Sequence, residues 1–318
     1  MQFSVYQQTH IGGRKVNQDR MGYSFTREAL LLVLADGMGG HARGEVAATI
    51  TLQTMSAMFQ REAAPYVKKP ERFLQDALLE SHAAILRYGV QHGMQENLHN
   101  TPRTTVVACL VQHNCAIWAH CGDSRLYWVR GGQILARTLD HSHIEHLIAK
   151  GLAQPSERAT HPDRNKLYNC LGASSVPKIA LSRQSSLQAG DVLLLCSDGL
   201  WGVLPDNEIV HQLSTHTIVR AVPDMIGMAT TIAGAKSDNT TALAIMWQGD
   251  DDVSSSADAP STVSTNTLQG NEVDGTIDAA APTPAASDAG ADVFDEDEIE
   301  KAIAEIRGAI EKSSQVLK

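Results

Sequence analysis

No apolar run in this 318-residue sequence approaches the roughly 18 residues needed to cross a bilayer; the longest, residues 29–35, has the length of a strand. The opening residues carry neither a basic segment nor an apolar stretch, which predicts a chain without a secretory leader. Cysteine is scarce and unpatterned. The five are odd in number and form no C-x-x-C, so neither a disulfide framework nor a zinc knuckle is signalled, and a reducing, cytoplasmic setting is expected. Lysine and arginine are also short, 26 against 36 acidic residues, and lack the excess of a general nucleic-acid surface. Neither nucleic acid nor membrane is an expected partner.

The acidity is not spread evenly. Between Gly249 and Glu298 stand 13 acidic residues and no lysine or arginine, whereas residues 1–248 hold 22 basic and 20 acidic residues. The net charge of −10 therefore belongs to a tail. After Trp247 the composition turns to Ser, Thr, Asp, Ala and Pro, too poor in large apolar residues to offset the entropy of ordering. This predicts a structureless linker over residues 249–293. Beyond it, Ile299, Ile303, Ile306 and Ile310 recur at spacings of 4, 3 and 4, with acids at the start. That spacing predicts an amphipathic helix over 294–318, either solvated or docking a partner or a second copy.

Within residues 1–248 strand and helix patterns alternate. Strands are predicted at 3–8, 21–26, 30–35, 104–112, 115–120, 125–129, 192–197 and 241–247; several are apolar at every position, as in strands buried on both faces. Helices are predicted at 44–62, 71–90, 143–150, 205–213 and 219–233.

Aspartates gather where these strands end. Asp36 closes an apolar run and is followed by Gly37, Met38, Gly39 and Gly40; Asp198 closes another before Gly199. Asp123 lies in a turn between two strands, Asp238 precedes the last strand and Asp19 the second. Each alone is an ordinary turn residue, because Asp bonds its own backbone and Gly accepts positive φ. Together, strand ends from one side of a sheet would bring carboxylates into mutual repulsion unless a cation neutralises them. Hard divalent cations prefer such oxygen ligands. On this reading the turn after Asp36 is stripped of side chains so that metals and their waters fit. Arg14, five residues before Asp19, would add a guanidinium fork for phosphate oxygens.

Arg14 with Asn17, Gln18 and Asp19; Asp36-Gly37-Met38-Gly39-Gly40; Thr104-Thr105; Gly122-Asp123-Ser124-Arg125; Ser197-Asp198-Gly199; and Asp238-Asn239-Thr240-Thr241 stand in this order. The ordered set resembles the bacterial metal-dependent protein phosphatases, the PPM or type 2C family, over most of residues 1–248. The resemblance implies an α+β fold, a central β-sandwich of two antiparallel sheets flanked by helices on both sides. It implies hydrolysis of phosphoserine and phosphothreonine on proteins, by water activated between two Mn²⁺ or Mg²⁺ ions. Asp36 would bridge the ions, the Gly37 carbonyl would bind one, and Asp198 and Asp238 would complete the first ion's ligands. Asp19 would bind directly or hold metal-bound waters. Asp123, with Asp198, matches the place of a third, weaker ion, and Arg14 would clamp the phosphate. The segment 140–171, with His141, Ser142, Gly151 and His161, matches a flap beside the site.

Two departures stand out. Gln18 replaces a glutamate common in the family, removing a negative charge near the second ion. Met38 replaces a histidine that animal members use to protonate the leaving alcohol; His41 or a metal-bound water would take that role. No cysteine stands in a C-x5-R arrangement, so a cysteinyl-phosphate route is unsupported. The expected partners are phosphoproteins made by a Ser/Thr kinase. The alternatives are a regulatory binding module with a phosphatase fold and a phosphatase for small phosphate esters.

Overall fold

The computed structural model describes residues 1–38, 43–94, 101–158, 161–163 and 166–249, with the backbone of 264–268 and 277–278. His41, the segment 294–318 and most of the stretch 249–293 lie outside the described residues. In chain order the elements are β1 (Gln2–His10), β2 (Asp19–Phe25), β3 (Ala29–Asp36), α1 (Gly44–Glu62), α2 (Pro70–Gln91), β4 (Val106–Gln112), β5 (Cys115–Cys121), β6 (Arg125–Arg130) and β7 (Gln133–Arg137). They continue with α3 (His143–Ala149), β8 (Ala180–Leu181), β9 (Ser185–Ser186), β10 (Val192–Cys196), α4 (Asp198–Trp201), α5 (Asp206–Thr215), α6 (Ile218–Ala233), β11 (Thr240–Gly249), β12 (Ser264–Leu268) and β13 (Ile277–Asp278). All belong to one compact unit, Met1–Ala280.

A run that is apolar at every position, as β3 is from Ala29 to Ala35, has two faces to bury, and β3 shows how both are used. Leu30, Leu32 and Leu34 enter the space between two sheets, with Leu193, Leu195, Leu243, Ile245 and Trp247 opposite. Leu31 and Val33 face the other way, onto Met55 and Phe59 of α1 and Leu74 and Leu78 of α2. The second sheet repeats the device: Leu194, Cys196 and Ala244 turn outward onto Ile209 of α5 and Val222 and Met225 of α6. Side chains alternating across each strand thus build three apolar layers, each fully buried leucine contributing about 1.5–3 kcal/mol. One sheet runs β13-β1-β11-β10-β6-β7 and the other β12-β2-β3-β4-β5-β8, with β9 also on β5. Every pairing between these strands is antiparallel. The result is the expected sandwich flanked by helices on both sides.

The differences from the sequence reading lie at the periphery. β7 is half-exposed and its apolar run is only three residues long, but Gly131 and Gly132 at φ 53° and 77° turn β6 back onto it. Thr104 belongs to isolated bridges with Gly37 and Leu171 rather than to β4. Inside the stretch expected to be a structureless linker, β12 pairs with β2 and β13 with β1. Edge strands offer unpaired N–H and C=O groups, and backbone pairing with them needs little apolar content.

Candidate active site

Antiparallel register brings the first two acids together. Asp19 opens β2 and Asp36 closes β3, and they are direct partners across the ladder. The Asp36 carbonyl accepts from Thr105 N–H at 2.9 Å and the Thr104 hydroxyl at 2.7 Å, which ties the end of β3 to the approach to β4. A side chain at Gly37 would run into the backbone of Gly44 and Gln18. The bare Gly37 therefore lets the start of α1 approach the strand end, a packing reason for a glycine here beside the room for metals expected from the sequence.

The other acids arrive from the second sheet and its loops. Asp198 begins α4 directly after β10, and Ser197 before it exchanges hydrogen bonds with Thr241: Ser197 N–H to the Thr241 carbonyl at 3.1 Å and Thr241 N–H to Ser197 Oγ at 3.0 Å. Asp238 precedes β11, and Asp123 lies in the turn between β5 and β6. Arg14 donates through Nε to Asp238 Oδ1 at 2.8 Å and through Nη2 to Oδ2 at 2.5 Å. Asn239 fastens that arrangement. Its Nδ2 donates to the carbonyls of Ile11 (2.9 Å) and Val16 (3.2 Å), while its Oδ1 accepts from Gln18 N–H at 2.8 Å. The sequence reading placed Asn239 in a motif without a role; here its amide locks the Arg14 loop against β11.

The electrostatics mark these groups as one cluster. Asp19 is buried, and neither of its carboxylate oxygens has a hydrogen-bond partner of good geometry. Burial raises its carboxyl to about 6, against the pull of the Thr241 and Ser197 hydroxyls and of Asp36. Burial, then Asp238 and Asp19, raise Asp198 to about 7. Asp36 lies well above the usual carboxylate range through burial and the charges of Asp19, Asp198, Asp123 and Asp238. Asp123 is raised likewise by burial, Asp198 and Asp140. Asp36 and Asp198 keep part of their surface open to solvent, so the burial part of their shifts is softened from that side.

The structure thus brings together Arg14, Asp19, Asp36, Gly37, Asp123, Asp198 and Asp238. Among the described residues no three acidic, histidine or cysteine side chains already stand at metal-ligand spacing. The fit to a divalent cation rests on the donor chemistry: an all-oxygen set, mutually repelling, with two orphaned buried carboxylate oxygens on Asp19. Gln18, where the family often has an acid, donates from Nε2 to Glu45 Oε2 at 3.2 Å, so α1 supplies a carboxylate beside that position.

The flap segment is built onto the site through histidine. His141 Nδ1 accepts from Gly122 N–H at 3.1 Å and stands 2.6 Å from Asn169 Nδ2; its own N–H donates to the Gly122 carbonyl at 2.9 Å. His120 stacks on it with ring centres 4.7 Å apart. Burial first, then His120 and Lys178, hold His141 near 4, so the ring is neutral at physiological pH. Asp140 accepts two 2.8 Å bonds from buried Arg125, whose guanidinium lies 3.5 Å over the Trp201 ring.

The sequence profile of one family, Protein phosphatase 2C, matches residues 6–235. The chain belongs to that family. Relatives named as serine/threonine phosphatases come from bacteria. PstP of Mycobacterium tuberculosis, a serine/threonine protein phosphatase, is 32% identical over 215 residues, which are 68% of this chain but only 40% of PstP's length. Serine/threonine phosphatase Stp1 from Staphylococcus aureus superposes with a TM-score of 0.68 at 31% identity, covering 77% of this chain and 95% of that one. The catalytic domain of PstP in complex with two manganese ions gives 0.60 at 27% identity, over 77% of this chain and 98% of that domain. The two manganese ions of that PstP domain are in keeping with the oxygen-only cluster found here. No helix among the described residues is long and apolar enough to cross a membrane.

Proposed function

We propose that the chain hydrolyses phosphoserine and phosphothreonine on proteins at the carboxylate cluster, with two divalent ions, Mn²⁺ or Mg²⁺. The observation that carries this reading is the convergence of Asp19, Asp36, Asp198 and Asp238 with Arg14 at the ends of strands from both sheets. Asp36 would hold both ions and the Gly37 carbonyl one of them, Asp198 and Asp238 would complete the first ion's ligands, Asp19 would bind directly or hold their waters, and Asp123 with Asp198 would offer a third, weaker place. When bound, divalent cations neutralise phosphoryl oxygens and make water acidic enough to attack near neutral pH.

The chain's own groups do the rest. Arg14 is the fork for the phosphate oxygens, and its two bonds to Asp238 keep it extended at the rim until an anion competes for it. Its exposed position leaves that exchange open to solvent. Met38 has no proton to give, so the proton for the leaving alcohol would come from His41 or from a metal-bound water. The substrates in this reading are the products of a Ser/Thr kinase. Five free cysteines fit a cytoplasmic setting.

The test is release of phosphate from a phosphothreonine peptide, with and without Mn²⁺, beside Asp36→Asn and Asp238→Asn. Metal-dependent turnover in the wild type and loss by at least about a hundredfold in both variants is the expected result. A folded wild type that releases no phosphate with Mn²⁺ present overturns the reading.

A further inference from the structure

A groove of about 610 Å³ lies beside the site, lined by Trp118, Leu139, Ile148, Tyr168 and Leu181. The neighbouring pocket, of about 380 Å³, contains Asp198, Asp238 and Arg14. The two share Arg137, Asp140, Glu145 and Arg158 as a common wall. A bidentate pair crosses that wall, Arg158 donating to both Glu145 oxygens. Polar pocket and apolar groove are therefore one trough with a charged sill.

The apolar side chains in the groove are held in the open. Leu139 is 60% exposed, Tyr168 53% and Leu181 39%. None sits on a loose loop end. The Leu139 carbonyl accepts from His120 Nε2 at 2.8 Å, and the next residue, Asp140, is gripped by Arg125. Tyr168 N–H donates to the His141 carbonyl at 3.1 Å, and Leu181 lies on β8, paired with Ala119 of β5. A rigid backbone that presents several large apolar groups to one concavity is the form of a binding subsite.

Resting on the phosphatase reading, we propose that this groove takes an apolar side chain of the phosphoprotein substrate, flanking the phosphoresidue that enters the carboxylate cluster. The commitment to substrate follows from continuity with the catalytic pocket. A chain segment crossing the sill meets Arg137, Arg158 and then the apolar wall, while a small phosphate ester reaches the cluster alone. Binding energy gained that far from phosphorus is available to the transition state as well as to the ground state.

The experiment uses the full chain with Mn²⁺ and a set of phosphothreonine peptides in which one leucine is moved through the flanking positions of a serine-rich background. Each kcat/KM is divided by the same enzyme's value on a small aryl phosphate. The expected result is one position where leucine gains about tenfold over serine, the scale of burying part of one aliphatic side chain. In Leu139→Asp and in Leu181→Asp that gain falls to less than about twofold. A flat profile in the wild type overturns the inference, and so does a gain that survives both substitutions. A second copy of the chain or an unrelated partner as the true occupant would give the flat profile. Turnover of the small ester with a flat profile leaves the phosphatase reading standing; no peptide turnover at all removes both.

Discussion

Replacing a buried acid of the site should make the metal-free protein more stable. Asp19 is the clearest case, because its carboxyl is buried, has no hydrogen-bond partner of good geometry and sits at about 6. Its folded value lies above the unfolded one, so the folded state holds the proton more tightly. The resulting penalty is absent at pH below 3.8, grows as pH rises, and is complete once pH exceeds 6. At 1.36 kcal/mol per unit, the two-unit shift corresponds to about 3 kcal/mol at pH 8 and about 1.6 kcal/mol at pH 5. Asparagine keeps the shape, removes the charge, and gives the Asp36 carboxylate and the hydroxyls of Thr241 and Ser197 a donor to meet. In excess chelator, Asp19→Asn should gain about 2–3 kcal/mol at pH 8, on the order of 5–10 °C for a domain this size. At pH 5 the gain should shrink by about half. With saturating Mn²⁺ the advantage should vanish, since cations remove the repulsion that the substitution relieves. Thermal and urea unfolding in the four conditions measure this. A variant less stable than wild type in chelator at pH 8, or equally stabilised at both pH values, would refute the argument from crowded carboxylates.

Gln18→Glu restores an acid beside Glu45, so half-maximal activity should need about tenfold less Mn²⁺, while the melting temperature in chelator falls; a metal titration and a melt read both. His141 must be neutral to accept from Gly122 and Asn169. Its value near 4 lies below the unfolded 6.5, so its stabilisation is full above pH 6.5 and is lost as pH falls toward 4. His141→Asn should therefore flatten urea-measured stability across that window. Asp191, fully buried, accepts two 2.6 Å bonds from Arg130, one from Trp128 Nε1 at 3.0 Å and one from Gln188 N–H at 2.9 Å. Asp191→Asn should cost about 3 kcal/mol in equilibrium unfolding, with phosphatase activity intact at temperatures where the variant stays folded.

The fold was legible where burial is two-sided, because β10 and β3 as far as Ala35 are apolar at every position over a length that fits a strand covered on both faces. The aspartates were legible for a related reason: a carboxylate ending such a run cannot be core, so its place at the strand mouth follows from the strand. What escaped was long-range. Arg14 meets Asp238 across 224 residues, and Asn239 reaches Ile11 across 228, with no local signal in either segment. At Gly37 the sequence could not show the close approach of the helix start at Gly44, because a glycine that makes room for a helix looks the same as one that makes room for a ligand. The Gly131-Gly132 pair was a readable hairpin turn, but β7 after it has only Ile134, Leu135 and Ala136 between polar ends, too short a run to mark a strand. β12 and β13 could not be read at all, since their pairing is made by backbone atoms that every residue carries.

Those two strands change where the molecule must be cut. β12 covers the outer edge of β2 and β13 the outer edge of β1, one on each sheet. A chain ended at residue 248 keeps every aspartate of the site but bares both edges at once, each a template for another chain. It should retain phosphatase activity in dilute solution and yet self-associate on concentration, as light scattering would show. The boundary of the chemistry and the boundary of the soluble particle then differ by some thirty residues, and the segment between them acts as a selvedge that stops the weave from catching on its neighbours.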